Sequence, residues 1–122
     1  MNDLNNAFLE EFKALDKLCR EVFRSEKGVT TYIDFMRGIP VYESQHIPNW
    51  SSDLRQLVRL RHLRNQLTHE LGTLNMNLCT QNDILWLRNF YNRIFARTDP
   101  AAILYQKRTM PQTANASVPK QR

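Results

Sequence analysis

The sequence predicts an all-α protein, an antiparallel helical bundle of about four main helices with short ones added. Three observations carry this expectation. Apolar residues recur at spacings of three and four along several long stretches, the period of an amphipathic helix. No stretch alternates apolar and polar residues as a half-buried strand would. Gly28, Gly38 and Gly72, all the glycines there are, fall where the helical stretches end.

In the first stretch, Leu4, Phe8, Phe12, Leu15, Leu18, Cys19 and Val22 mark the inner face of a helix from Leu4 to about Arg24, closed by Gly28. Glu10, Glu11, Lys13, Asp16, Lys17, Arg20 and Glu21 read as its solvated face. Thr31-Tyr-Ile-Asp34 has the spacing of a capping box and opens a short helix ending at Gly38. Residues 39–50 read as a loop, punctuated by Pro40 and Pro48; such a loop can serve as a lid or binding edge, but the plainer reading is that its Tyr42 and Trp50 close one end of the core, and its His46 has no assigned role. Ser51 or Ser52 caps the next helix, with Asp53 at its positive end, and that helix runs to about Leu71. Thr80-Gln-Asn-Asp83 forms a second capping box, with Cys79 and Ile84 spaced as a hydrophobic staple. The helix that follows buries Ile84, Leu85, Leu87, Tyr91, Ile94 and Phe95. Asp99-Pro100 starts a last helix reaching about Lys107. Residues 1–107 make the domain; 108–122 are a basic tail, too polar to pack and expected to be disordered.

The chain of 122 residues suffices for one apolar core and not for two. A hydrophobic content of 42% with 24% charged residues is that of an ordinary globular protein. No apolar run approaches the roughly 18 residues of a membrane span, and the first residues do not form a secretory leader. A cytoplasmic protein is expected, in which Cys19 and Cys79 are reduced thiols serving as small hydrophobes. The net charge of +5 is uneven. Residues 1–50 carry eight acids against six bases, residues 51–105 seven bases against four acids, and residues 106–122 four bases and no acid. A basic second half permits a nucleic-acid partner without requiring one.

Glycine-rich phosphate loops, zinc spacings, serine elbows and paired acids for glycoside chemistry are not found in the sequence. What stands out is Arg55 to Glu70. Leu57, Leu60, Leu63, Leu67 and, just beyond, Leu71 lay one apolar stripe along it, and Arg55, Arg59, Arg61, His62, Arg64, Asn65 and His69 are threaded between them. Around the helix, His69 shares a face with His62, Asn65 and Val58, opposite the leucines. Arg64 lies about 140° round from His69, at the edge of the stripe. To act together, Arg64 must reach round the backbone, the helix must loosen before His69, or the site must be completed across a dimer. The plainer reading has Arg64 paired with a buried acid such as Glu10 or Asp83, and His69 in solvent. A DNA-binding role for Arg55, Arg59 and Arg61 ranks lower, because no turn suits a helix-turn-helix before Ser51.

Arg64-Asn65-x-x-x-His69, on the central helix of a small all-helical domain, resembles the R-x4-6-H motif of HEPN domains, in which the residue after the Arg is commonly polar and often Asn. The segment LRHLRNQLTHELG is similar to that of small bacterial proteins of HEPN type. The resemblance covers residues 1–107 in architecture and 64–69 in specific residues. It implies a homodimeric, metal-independent ribonuclease with no cofactor, motifs from both chains meeting at one interface. On it, His69 is general acid or base for the 2′-hydroxyl or the leaving oxygen, Arg64 holds the scissile phosphate, and Asn65 orients one of them. Arg59, Arg61 and His62 would then contact the RNA. A cognate antitoxin or regulatory protein is a further expected partner. Some toxin-like members carry a Tyr two residues after the His, the target of an antitoxin; Leu71 stands there in this chain. The alternative is a HEPN-like dimer without chemistry, binding RNA or protein.

Overall fold

The computed structural model describes residues 3–69 and 77–110. Among them are six helices: α1 (Asp3–Phe23), α2 (Val29–Arg37), α3 (Val41–Ser44), α4 (Trp50–His69), α5 (Gln81–Phe95) and α6 (Pro100–Thr109). The protein is an all-α bundle, as the periodicity predicted. Leu71 and Gly72, and with them the predicted end of the central helix, lie outside the described residues. So does the tail from residue 111 onward.

The core is built from one face of each long helix. Phe8, Phe12, Leu15 and Cys19 of α1 meet Ile84, Leu87, Phe90 and Ile94 of α5, Tyr32, Ile33 and Met36 of α2, and Leu57, Leu60, Leu63 and Leu67 of α4. α1 packs chiefly on α5 and α2, and α2 on α4. Polar contacts fix the directions. Arg93, near the end of α5, binds Asp53 at the start of α4, while Arg59 binds Asp83 at the start of α5. These two helices therefore run antiparallel. Cys79 Sγ reaches the carbonyl of Leu4 and Arg88 reaches Glu11, so α1 and α5 run side by side in the same direction. Not every neighbouring pair in the bundle is antiparallel.

Several element boundaries differ from the expected ones, each for a tertiary reason. Gly28 does not close α1. That helix ends at Phe23, with Arg24 in the left-handed region (φ 51°) and the Ser25 amide returning to the Arg20 carbonyl at 3.1 Å. Gly28 instead precedes α2, and the Thr31–Asp34 capping box does not form. The cap comes from another helix: Asp16 of α1 accepts the Val29 amide at 2.8 Å and is itself held by Arg20 at 2.6 Å. Gly28 has φ 62°, and a Cβ there would stand 2.1 Å from Asp16 Oδ1, so only glycine admits this carboxylate. Asp16 and Glu11 are thus not simply part of a solvated face.

The expected loop at 39–50 contains α3, a single turn behind Pro40. α4 starts at Trp50, one residue before the expected serine caps; Asn49 adopts φ 63° and its carbonyl accepts the Asp53 amide at 2.8 Å. The Thr80–Asp83 capping box does form, with bonds of 3.1 and 2.9 Å. On α5 the inner face is Ile84, Leu87, Phe90 and Ile94; Leu85 and Phe95, expected inside, are exposed, and Phe95 is 75% accessible. The step of three and four from Ile84 leads to Phe90 and Ile94, which turns Phe95 outward. Asp99 caps α6, accepting from the Ala102 amide, and the Tyr32 hydroxyl donates to the same carboxylate. Burial, with the Asp99 charge and hydrogen bond, holds the Tyr32 phenol far above its ordinary pKa. α6 continues through Thr109, two residues past the expected end. Arg108 belongs to the folded body and grips Glu43 of α3 through Nε and Nη2 at 2.7 Å each.

The Arg59–Asp83 pair gives the fold a pH dependence. Burial by itself would raise the Asp83 pKa. The Arg59 guanidinium and the Thr80 amide and hydroxyl outweigh it, and hold the carboxyl below its ordinary value. A carboxylate depressed in the folded state contributes stability above its unfolded pKa of about 3.9 that is lost as pH falls through the folded value. Asp83→Asn should therefore narrow the difference in urea midpoint between about pH 5 and about pH 3 relative to wild type. An unchanged difference would mean that the Asp83 carboxyl is not held below its ordinary value in the folded protein.

Candidate functional site

α4 is an unbroken α-helix from Trp50 to His69. Leu57, Leu60, Leu63 and Leu67 are buried, so the helix is locked in rotation by its apolar stripe. That rotation places His62, Asn65 and His69 together on the exposed side. The regular helix through His69 removes the loosened-helix route to convergence. Thr68 Oγ1 donates back to the Arg64 carbonyl at 3.1 Å, a bond made within an ordinary helix.

Arg64 sits at the border of the two faces, half-buried, and its placement follows from α1. The guanidinium lies over the Phe12 ring, 4.8 Å from Cζ to the centroid. Its Nε donates to Asn65 Oδ1 at 3.1 Å. The cation therefore rests on an aromatic face, not on Glu10 or Asp83 as the plainer reading has it; Asp83 is occupied by Arg59. The contact with Phe12 is made through Cζ over the ring, and the bond to Asn65 uses Nε. The terminal nitrogens carry the fork that suits a phosphate.

Arg64 also lines a groove of about 240 Å³ between α1 and α4, whose other walls are Leu9, Glu10, Phe12, Lys13, Asp16 and Thr68. Of these α1 residues, sequence reasoning set Glu10 near Arg64, as an ion-pair partner, and did not find the others. Leu9, Lys13 and Asp16 are spaced by four and three, which puts them on one face, but only the antiparallel docking of α1 on α4 sets that face against Arg64.

The remaining candidates divide. Arg59 is committed within the chain, bonding Gln56 Oε1 at 2.8 Å and Asp83 at 2.5 Å. Arg61 donates to Thr30 Oγ1 of α2 at 3.2 Å. His62 stands in solvent on the Asn65 side. The structure thus keeps His62, Asn65 and His69 on one exposed face, leaves Arg64 at its border about 140° round from His69, and draws Arg59 and Arg61 toward other elements. Among the described residues no three His, Cys, Asp or Glu side chains are grouped to hold a metal ion, and no helix is long and apolar enough to cross a membrane. Both cysteines are buried and unpaired by any disulfide; burial, then the charges of Asp16 and Asp99, pushes the Cys19 thiol up to about 12.

A family model matches residues 6–122, nearly all of the sequence and the whole of this arrangement. The chain belongs to a family of unknown function, DUF6548. No curated protein and no solved structure matches it.

Proposed function

We propose that this DUF6548 chain is a HEPN-type, metal-independent endoribonuclease acting as a homodimer, with Arg64, Asn65 and His69 at a site completed by the second copy. The observation that carries the reading is the setting of Arg64. A guanidinium over Phe12 and tied through Nε to Asn65 keeps its terminal nitrogens for an anion, while His69 stands exposed about 140° round the same helix. In this reading the RNA 2′-hydroxyl attacks the adjacent phosphorus, and the bond to the leaving 5′-oxygen breaks. His69 accepts the proton of the attacking hydroxyl or supplies the one taken up by the leaving oxygen. Arg64 balances the charge that develops on the phosphate, and Asn65 fixes the guanidinium. His62 extends the contact to a neighbouring phosphate, whereas Arg61 is turned to Thr30 of α2. Arg59 is left out, its charge being matched by Asp83. The setting on this reading is the cytoplasm, with a cognate antitoxin or regulatory protein as a further partner.

One observation favours a second reading, a dimeric module without chemistry. On an unbroken helix Arg64 and His69 diverge by about 140°. Only a second copy brings an Arg64 to a His69, so the reading requires a dimer. The experiment measures cleavage of an unstructured RNA in EDTA by wild type and His69→Ala, with light scattering on the same samples. Cleavage by a dimeric wild type that His69→Ala loses is the expected result. Equal cleavage by both, none by either at high protein concentration, or a monomeric wild type sinks the ribonuclease.

A further inference from the structure

A second surface lies away from the α4 face. α3 buries none of its four residues, yet it is held in place: Pro40 starts it, and Arg108 of α6 clamps Glu43 through two bonds of 2.7 Å. This clamp presents Tyr42 to solvent with 71% of its surface accessible. Beneath lies a concavity of about 320 Å³ lined by Tyr42, Glu43, His46, Leu104, Lys107 and Arg108. Leu104 is buried and forms an apolar floor. With Glu43 matched by Arg108, Lys107 leaves the corner with a positive charge.

We infer that this corner between α3 and α6 binds one unpaired nucleotide of single-stranded RNA, Tyr42 stacking on the base while Lys107 and His46 take its phosphate. An exposed aromatic ring beside a cation is the recurrent means of holding an unstacked base, since every base has a face to stack. The cavity is concave and at the small end of ligand-sized sites, which suits a single base. A membrane-binding surface would instead need a long, wide apolar helix face, and α3 is a single turn. α3 lies just before the first turn of α4, whereas His69 is its last described residue, about 28 Å further along the helix axis. The corner would thus anchor the strand at a distance from the proposed site of cleavage. The inference rests on the proposed reading for its ligand class only.

The test uses fluorescence anisotropy of a labelled single-stranded oligouridine RNA with the full chain, in the His69→Ala background so that the probe stays intact. Tyr42→Ala should weaken binding about tenfold or more, Tyr42→Phe should retain it, and Lys107→Gln should lower the salt slope by about one. Circular dichroism confirms folding of each variant, which the exposure of both side chains favours. Equal affinity of Tyr42→Ala and its background, equal losses in Tyr42→Phe and Tyr42→Ala, or an unmeasurable parent affinity overturns the inference. So does a preference for phosphatidylserine vesicles, or for DNA of the same sequence, over the RNA. Tyr42-dependent binding with no cleavage by wild type leaves this site standing and removes the ribonuclease. Cleavage with Tyr42-independent binding does the reverse.

Discussion

Arg93→Met is expected to lower the stability of the bundle by about 3–5 kcal/mol, because it strands a buried carboxylate. Asp53 is 4% exposed, and Arg93 meets both its oxygens, at 3.0 and 2.7 Å. The guanidinium also lies 5.1 Å from the centroid of Phe90, so it is packed as well as paired. Methionine keeps much of that packing and removes only the charge and the fork. The Asp53 carboxylate lies in the first turn of α4, where the exposed amides offset on the order of 0.3–1 kcal/mol of the loss. The double variant Asp53→Asn, Arg93→Met should regain a large part of the difference, since no unpaired charge then remains. Urea unfolding followed by circular dichroism reads both. A loss below about 1 kcal/mol in the single variant would place the pair with ordinary surface salt bridges.

The second large effect is on chemistry. On the proposed ribonuclease reading, Arg64→Met should reduce RNA cleavage by about 10²–10³-fold, the usual cost of removing one donor from a developing charge. Stability should change little, because the methionine side chain can still cover Phe12. Arg64→Lys should recover only a minor part of the rate. A lysine carries the charge but cannot donate to Asn65 and fork onto a phosphate in one plane. Initial rates on a labelled RNA, with thermal melts as the control for folding, decide between roles. A folded Arg64→Met that cleaves at the wild-type rate removes Arg64 from the site, and a rate loss matched by unfolding reduces it to a packing residue.

Sequence alone determined the helical class, the face of α4 that enters the core, and the residues that share its other face. It did so because these features repeat locally: leucines every three or four residues fix a stripe, and the stripe fixes what lies opposite. The Thr80–Asp83 cap and the Asp99-Pro100 start were legible for the same reason, as each is complete within four residues. Tertiary structure decided the rest. Asp16 reaches across thirteen residues to cap α2, so a local box at Thr31 was outcompeted. Arg59 rather than Arg64 took Asp83, because the antiparallel docking of α4 on α5 sets that pair of positions opposite one another. Arg64 went to Phe12, and Arg108 joined the body through Glu43, by contacts between residues far apart in the chain. Spacing along one helix specifies which side chains point together. Which of them are consumed by the fold, and which are left to meet a ligand, depends on the neighbouring helices, whose positions are set by the packing of the whole core.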